Sequence, residues 1–412
     1  MTDRNYFQRL KEISLQAFQE SPFYREVLKR DSLTLEKIQE DWNQIPVIRK
    51  AELVLAKDTV IPPQYYPEER KGRIVSETTS GSTGQCLKIY WNKAQLSLSM
   101  LPLWLKRKWY YDILPSDRYC YFYTLHNPYG EEPEEEQKGN GLGFSKMNLS
   151  EERIAEIYQR MVDYDPVWMV LQPGIAILLA RYRLENGAEE IASLKYIELT
   201  GEMVTVQNKN FIKNVFGCSV AGQYGSYEVN SIAYECPAGH LHILDENVYV
   251  EIFRNGCPVK EGEEGEIVIT SLHNRVMPFI RYDIGDWGRI KKVCCQWNTA
   301  NVLELTRGRK NDRVLCEDGS HISVYEFVKV FGSICEQIDG EILQYQVEQK
   351  GFREFHIHIV AEERPEEIER LFFLCIQNPY LKECEYQFYY HNRLLPDDTT
   401  GKLRMFRSFS PT

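Results

Sequence analysis

The segment from Val75 to Trp91, VSETTSGSTGQCLKIYW, is the part of the chain best suited to binding an anion. A strand-like run leads into hydroxyls and glycines, and a second strand-like run follows. Glycines let the backbone approach phosphate oxygens, and N–H groups with Ser and Thr hydroxyls are neutral donors to a polyanion. The GK[ST] ending of a Walker loop is absent. Thr78–Gly84 therefore suits the β and γ phosphates of ATP, although such a stretch alone is as often a flexible turn.

Four blocks downstream combine glycine with aromatic or charged residues. They read GQYGSYE at 222–228, RYDIGD at 281–286, GRKND at 308–312 and TGKLR at 400–404. Taken singly, each has an ordinary interpretation: Glu228 and Lys402 as solvated charges, Asp286 as part of a surface turn, and Arg309 as half of a surface salt bridge. Only their occurrence together with the loop indicates a nucleotide site.

Alternating helices and strands must position these blocks. The first fifty residues predict helices, because apolar side chains recur at near-helical spacing from Phe7 to Phe18 and Ser21-Pro22 breaks the pattern. Beyond Lys71, strand-like and helical runs alternate, which favours an α/β sheet. The strand-like runs are 87–91, 118–124, 167–171 and 197–200, and the helical runs are 96–110, 151–162 and 206–215.

After Gly222 the pattern changes to short β segments, at 248–253, 265–270 and 287–293. From about Gly308, strands and an acidic helix are typical of a compact α+β domain. The predicted fold class is α/β, with a large N-terminal domain of α/β sheets plus a β-rich subdomain, and a small, mobile C-terminal α+β domain. We place the boundary between residues 1–308 and residues 309–412.

The segment from Gly130 to Gly143 carries the acidic run EEPEEE followed by GNGLG. It has few apolar side chains to anchor it. This composition predicts a mobile surface loop, with a binding feature as the alternative.

Composition and charge argue against several classes of protein. The 412 residues carry a formal net charge of -11, the wrong sign for sequence-independent binding to nucleic acid or anionic lipid. No run reaches the roughly 18 apolar residues of a membrane span, and the N-terminus lacks a signal-peptide core. The 11 cysteines, without an export signal, predict reduced thiols. We expect a cytoplasmic enzyme that binds neither nucleic acid nor membrane.

The order and spacing of the five blocks resemble the adenylate-forming superfamily of acyl-CoA synthetases, peptide-synthetase adenylation domains and luciferases. The resemblance is greatest for its short branch of phenylacetate-CoA ligase and coenzyme F390 synthetase-like proteins. It extends over nearly the whole chain, including SPFYREVLK near the N-terminus and IPVIRKAEL at 45–53. It implies an N-terminal domain that binds ATP and a carboxylic acid, and a small lid domain that carries a catalytic lysine.

The resemblance implies roles for individual residues in nucleotide binding. The phosphate loop would be Thr79, Ser80, Gly81, Ser82, Thr83 and Gly84, with Gln85 where relatives carry a lysine. Gly201 and Glu202 would line the adenine pocket, or otherwise begin a helix. The next motif supplies Tyr224, Gly225, Ser226 and Tyr227: Tyr224 would stack on adenine, and Tyr227 replaces a threonine that contacts the α-phosphate. Asp286 would accept both ribose hydroxyls, and Arg309 would contact the ribose or a phosphate.

Three further roles concern catalysis and movement. Glu228 would coordinate the Mg²⁺ that bridges the phosphates. Lys402 matches the family's catalytic lysine, which offsets charge while the acid attacks the α-phosphorus and pyrophosphate leaves. Asn311 lies at the hinge about which the small domain rotates before the thiol acceptor enters.

A separate metal hypothesis concerns the segment from Cys236 through His240 to His242 and the pair Cys294 and Cys295, with Cys236, His242, Cys294 and Cys295 as the predicted ligands. Some relatives in the short branch carry a Cys…His…Cys-x-Cys arrangement at comparable places, consistent with a structural Zn²⁺. Here the last two cysteines are adjacent, which strains chelation by both thiolates. Ordinary reduced thiols are the alternative.

The sequence thus predicts a ligase that uses ATP and Mg²⁺ to form an acyl-adenylate. The acyl group would pass to CoA or to an acyl or peptidyl carrier protein, and the resemblance makes an aryl or arylacetic acid the default substrate. The alternatives are an amide-forming enzyme, an F390 synthetase-like adenylyl transfer, and a non-catalytic nucleotide-binding scaffold, which the departures at Gln85 and Tyr227 would favour. Both a monomer and a homodimer remain open.

Overall fold

The computed structural model describes residues 3–79, 86–124, 134–297, 301–307, 313–338, 342–361, 365–395 and 403–409. Over these residues the helices are α1 (Asp3–Glu20), α2 (Pro22–Arg30), α3 (Leu35–Glu40), α4 (Lys50–Ala56), α5 (Tyr66–Arg70), α6 (Lys93–Tyr111), α7 (Glu151–Tyr164), α8 (Pro173–Asn186), α9 (Val206–Phe216), α10 (Tyr325–Gln337), α11 (Pro365–Cys375) and α12 (Pro379–Lys382).

The strands are β1 (Ile48–Arg49), β2 (Ile74–Thr78), β3 (Lys88–Asn92), β4 (Tyr119–Tyr123), β5 (Glu135–Lys138), β6 (Gly141–Ser145), β7 (Trp168–Leu171), β8 (Tyr196–Thr200), β9 (Ser219–Ser226), β10 (Asn230–Glu235), β11 (Leu241–Ile243), β12 (Val248–Arg254), β13 (Cys257–Pro258), β14 (Gly265–Ser271), β15 (Tyr282–Lys292), β16 (Asn301–Arg307), β17 (Arg313–Leu315), β18 (His321–Ser323), β19 (Ile342–Gln349), β20 (Glu354–Ala361), β21 (Glu385–Tyr390) and β22 (Phe406–Arg407). The mixture of helices and strands confirms the predicted α/β class.

Contacts divide the chain into two units, residues 1–110 with 223–311, and residues 111–222 with 312–412. In the first unit the strand order is β13-β12-β14-β15-β16-β11-β10-β9, with antiparallel neighbours throughout. The short β1 pairs in parallel with β15, and β2 with β3 forms a separate hairpin. Leu10, Ile13 and Phe18 of α1 are buried in this unit's core, as their spacing predicts.

The described residues of the second unit form two larger sheets and the two-stranded hairpin of β17 and β18. In one, β6, β4, β7 and β8 run parallel, with β5 antiparallel at the edge. Helix α8 belongs to its core, and residues 173–180 are all buried because the helix is apolar on every side. The other sheet has the order β21-β20-β19-β22, and Phe327 of α10 and Phe372 of α11 share a core with Ile357 of β20. This segment has the predicted α+β makeup, and the division at 308/309 stays a prediction.

The prediction of a surface loop at 130–143 is wrong for its described part, residues 134–143. Strands β5 and β6 form a hairpin there, and every residue of β6 is buried. The glycines of GNGLG have a packing role: a Cβ atom at Gly141 or Gly143 would lie 2.6 Å from the ring of Tyr119 or Tyr121 on β4. Composition indicated a loop because glycine and glutamate disfavour strands, whereas here two aromatic rings cover the bare backbone.

In the described part of the chain, no helix combines the length and the apolar character that crossing a membrane requires.

Candidate functional site

The base of the predicted phosphate loop is closed by Thr79, between β2 and β3. Its backbone N–H donates to the carbonyl of Leu87 at 2.9 Å, and its hydroxyl accepts from the N–H of Leu87, also at 2.9 Å. This reciprocal pair fixes the two ends of the loop against each other. Residues 80–85, and with them Ser80, Gly81, Ser82, Thr83, Gly84 and Gln85, lie outside the described residues.

Lys50 contacts the loop base through its ammonium group, whose Nζ atom lies 3.0 Å from Thr79 Oγ1. The lysine is the first residue of α4 and directly follows β1. Because β1 pairs with β15 through Ile48 opposite Tyr282, the RYDIGD strand holds Lys50 beside the loop. The fold thus brings a cation to the loop base from another block of sequence.

The second and third blocks also meet within the first unit. The hydroxyl of Tyr224 donates to Asp286 Oδ2 at 2.7 Å, and that of Tyr282 donates to Glu228 Oε1 at 3.1 Å. The indole N–H of Trp91, just after the loop, donates to the carbonyl of Tyr227 at 2.9 Å. The first three of the five predicted blocks are therefore joined by direct hydrogen bonds.

Asp286 owes its position to a bulge rather than to a chain reversal. Asp283 pairs with Val268 and Trp287 pairs with Glu266, so three residues of β15 stand opposite one residue of β14. Gly285, in the bulge, has φ +85°, a conformation in which glycine has no steric penalty. Its N–H donates to Asp283 Oδ1 at 2.9 Å, which fixes the bulge. The glycine that precedes Asp286 in the sequence therefore correctly indicates an unusual backbone conformation at this position.

Two residues of the GQYGSYE block, Gly225 and Ser226, lie in tightly packed surroundings. At Gly225, a Cβ atom would collide with the carbonyl oxygen of Asn230 on the neighbouring strand, so only glycine fits. The hydroxyl of Ser226 is buried and has no hydrogen-bond partner within the described structure. A buried unpaired hydroxyl costs free energy unless a ligand pairs with it.

In the second unit, Glu202 connects two distant segments. Its Oε2 atom accepts from the N–H of Gly174 at 2.9 Å, and its Oε1 atom accepts from the N–H of Leu403 at 2.9 Å. Gly201, before it, has φ +84°. Leu403 directly follows Lys402, so the C-terminal segment is anchored at the predicted adenine motif. Lys402, Arg309 and Asn311 lie outside the described residues, and their roles stay predictions.

Comparison with known proteins finds distant relatives in sequence and solved structures with a similar fold. The chain is 24% identical to protein CapK of Staphylococcus aureus over 74% of its own length and 67% of that protein. It is 22% identical to the phenylacetate-coenzyme A ligase of Thermus thermophilus over 88% of this chain and 85% of that one. The solved 2-hydroxyisobutyryl-CoA ligase in its postadenylation state shares the fold, with a TM-score of 0.75, 16% identity, and coverage of 99% and 89% of the two chains. No family model matches.

These relatives support the resemblance to the phenylacetate-CoA ligase-like branch of the adenylate-forming superfamily. The joined blocks of the first unit are consistent with this resemblance.

A second cluster consists of Cys236, His240, His242 and Cys295, whose ligand atoms all lie within 4.8 Å of one another. The two sulfurs are 3.7 Å apart. A turn with Gly239 at φ +81° places His240 back beside Cys236, and the Nδ1 atom of His240 is buried with no hydrogen bond in the described structure. The exposed Cys294 lies outside this group. His240 rather than Cys294 is the fourth member of this group, so the two adjacent cysteines do not both belong to it.

Three contributors to these sites are not predicted from the sequence: Lys50, Tyr282 and Leu403. Lys50 lies inside the IPVIRKAEL block and Tyr282 inside RYDIGD, so both were within recognised segments. Their contacts join residues far apart in sequence, which a motif does not reveal. Leu403 directly follows Lys402, and its contact with Glu202 likewise joins distant parts of the chain. In the metal segment, the turn at Gly239 brings His240 rather than Cys294 into the cluster.

Proposed function

We propose that the protein uses ATP to activate a carboxylic acid as an acyl-adenylate and then transfers the acyl group to the thiol of CoA. The observation that carries this proposal is the hydrogen bond from Tyr224 to Asp286, at 2.7 Å. It aligns an aromatic ring, able to stack on adenine, with a carboxylate able to accept ribose hydroxyls. The similarity to a phenylacetate-coenzyme A ligase supports an aryl or arylacetic acid as the substrate.

The phosphates would be held by neutral donors and one lysine. The loop at 79–84 would supply N–H groups and hydroxyls, and the buried hydroxyl of Ser226 is a further donor. Lys50, 3.0 Å from Thr79 Oγ1, would supply the positive charge that Gln85 does not. A lysine ammonium is an effective point charge for phosphate.

Glu228 is suited to the Mg²⁺ that accompanies ATP. Its side chain is buried, and the hydrogen bond from Tyr282 at 3.1 Å fixes the orientation of the carboxylate. That bond uses one lone pair and leaves the others for a hard cation, which prefers oxygen ligands. The cation would neutralise charge on the phosphates, while Glu228 holds it in place.

The reaction then has two steps. A carboxylate oxygen of the acid attacks the α-phosphorus, the bond to the bridging oxygen breaks, and pyrophosphate leaves with the electron pair. Lys402 would offset the charge that develops on these oxygens. In the second step the thiol sulfur of CoA attacks the acyl carbon, AMP leaves, and the thiol proton passes to solvent. The anchoring of Leu403 by Glu202 at 2.9 Å supports a role for this segment in the first step.

The product analysis tests this proposal. The purified chain is incubated with ATP, Mg²⁺, a panel of aryl, arylacetic and aliphatic acids, and CoA, and the products are identified by mass spectrometry. We expect AMP, pyrophosphate and an acyl-CoA. Replacing CoA with amines or with a phosphopantetheinyl carrier protein distinguishes the other acceptors. An adenylylated product would favour the F390 synthetase-like alternative, and no AMP with any acid would refute acid activation.

We further propose that Cys236, His240, His242 and Cys295 bind a structural Zn²⁺. Two thiolates and two imidazoles form a tetrahedral donor set that Zn²⁺ prefers, and three of the four side chains are buried. Mass spectrometry of the native protein and thermal unfolding with and without a chelator provide the test. We expect one bound zinc that is lost in Cys295→Ser and retained in Cys294→Ser. Equal zinc content in both variants would contradict the assignment.

A further inference from the structure

The solvent-facing side of the C-terminal sheet carries two imidazoles beside a carboxylate. His356 and His358 lie two residues apart on β20 and therefore project from the same face. Glu348 on antiparallel β19 is the direct partner of His356. The ligand atoms of the three residues lie within 4.8 Å of one another. Their side chains are 12%, 20% and 19% exposed for Glu348, His356 and His358, so the group is partly buried.

Both histidines have a ring nitrogen without a hydrogen bond. The Nε2 atoms of His356 and His358 are buried and have no hydrogen-bond partner among the described residues. They lie 3.5 Å from Glu354 Oε1 and 3.6 Å from Glu348 Oε2, respectively. A buried polar atom that makes no hydrogen bond costs free energy. A cation bound to both nitrogen lone pairs would remove that cost.

Two neighbours prepare His358 for such a role. Its Nδ1 atom lies 2.9 Å from Nε2 of His391, just after β21. When Nδ1 carries the proton and donates it to His391, the Nε2 atom on the Glu348 side holds a lone pair. A histidine bound to a metal commonly donates its other ring N–H in this way. The ring of Tyr389 packs 5.1 Å from both imidazoles, which restricts their rotation.

We propose that Glu348, His356 and His358 bind a Zn²⁺ ion, with His391 positioning His358. Two imidazoles and one carboxylate suit Zn²⁺ and other late first-row ions, whereas Mg²⁺ and Ca²⁺ select oxygen ligands. Around a tetrahedral Zn²⁺ the ligand atoms are roughly 3.3 Å apart. Small side-chain rotations are therefore enough to close the site. Three protein ligands leave the fourth position to water or to another small ligand.

The ammonium group of Lys350 competes with the ion. Its Nζ atom lies 2.6 Å from Glu348 Oε2, while Arg407 Nη1 lies 3.0 Å from Oε1. The Lys350 side chain is 45% exposed, so it can move into solvent when the ion binds. Removal of this lysine should therefore strengthen metal binding, whereas removal of a ligand should weaken it.

The test is a metal titration of the full chain after treatment with a chelator. Co²⁺ serves as the spectroscopic probe, and Zn²⁺ displaces it. A cobalt ion held by Cys236 and Cys295 gives an intense thiolate charge-transfer band in the near ultraviolet, whereas one held by nitrogen and oxygen gives only weak visible bands. Metal binding at the two clusters is thereby observed separately, so the absence of binding at one cluster does not conceal binding at the other.

We expect His356→Gln to lower the affinity of the Glu348, His356 and His358 cluster for Co²⁺, read from the weak visible bands, at least about tenfold. His321→Gln, a change at an exposed histidine, should leave this affinity unchanged. Lys350→Met should raise this affinity by about three- to tenfold. Circular dichroism establishes that each variant is folded. The absence of the nitrogen and oxygen component in the wild-type chain, equal titration of His356→Gln and wild type, or weaker binding by Lys350→Met would each overturn the proposal.

Discussion

Tyr224 is held by its own hydroxyl, which donates to Asp286 Oδ2 at 2.7 Å. Tyr224→Phe keeps the ring and removes only this bond, so stacking on adenine would lose its fixed orientation while the fold is unchanged. A hydrogen bond to a charged group contributes about 1.5–3 kcal/mol, and we expect ATP binding to weaken by about tenfold. Calorimetric titration with ATP measures this change.

The matched control is Tyr90→Phe, because the hydroxyl of Tyr90 lies 3.5 Å from Asp58 in an exposed contact. That variant should bind ATP like the wild type. An equal loss of ATP affinity in both variants, or no loss in Tyr224→Phe, would show that the hydrogen bond to Asp286 does not organise the nucleotide site.

Lys50 provides a second test at the scale of one residue. Lys50→Met removes the ammonium 3.0 Å from Thr79 Oγ1 but keeps most of the aliphatic chain. We expect the KM for ATP to rise at least about tenfold, since a charge-assisted contact to phosphate is lost. Lys29→Met is the control, because Lys29 forms an exposed pair with Glu26 at 2.7 Å, and such pairs contribute little. An unchanged KM for Lys50→Met would remove Lys50 from the phosphate site.

His273 predicts a dependence of stability on pH. Burial, followed by the nearby Arg9 guanidinium, lowers the pKa of His273 from 6.5 to about 4. Between these two values the unfolded chain binds a proton that the folded chain does not, so the stability contribution is complete above the unfolded pKa and is lost as pH falls. We expect His273→Gln to reduce the drop in unfolding free energy between neutral pH and pH 4 by about 1–3 kcal/mol. Urea unfolding at several pH values, with His321→Gln as the control, measures it; identical slopes in wild type and His273→Gln would contradict the assignment.

The β5–β6 hairpin shows at the scale of elements how packing overrides composition. Gly143 lies beneath Tyr121, whose ring would be 2.6 Å from an added Cβ atom. We expect Gly143→Ala to lower the unfolding free energy by about 1–3 kcal/mol, because the ring must move. Gly332→Ala in α10 is the control: its Cβ would meet no atom within 4 Å, and alanine favours a helix by up to about 1 kcal/mol. Thermal unfolding that ranks the two variants the other way would contradict this account.

Several helices and strands could be predicted from the sequence because local patterns determine them. Helix α1 ends at Glu20, immediately before the Ser21-Pro22 break, and residues 354–359 of β20 alternate between exposed or partly exposed and buried side chains, as the sequence predicts. The hairpin at 135–145 could not be predicted, because its stability comes from rings on a different strand. The same holds for the site: Tyr224 and Asp286 are recognisable in their motifs, but the contact between Lys50 and Thr79 depends on the pairing of β1 with β15.

At the scale of the whole molecule, each unit carries part of the predicted machinery. The first unit holds the loop base, Tyr224, Glu228 and Asp286, and the second holds Glu202 with the segment that follows Lys402. In the proposed function, one set of residues would bind the nucleotide and another would stabilise charge.

Acid activation is tested most directly by the acid-dependent exchange of labelled pyrophosphate into ATP, measured for the wild-type chain and for Lys402→Ala. We expect exchange by the wild type with at least one acid of a broad panel, and a rate at least about a hundredfold lower in the variant. Lys402→Ala should still form the thioester from CoA and a supplied acyl-adenylate, since that step does not use the lysine. No exchange with any acid, or equal exchange by Lys402→Ala, would contradict the central claim.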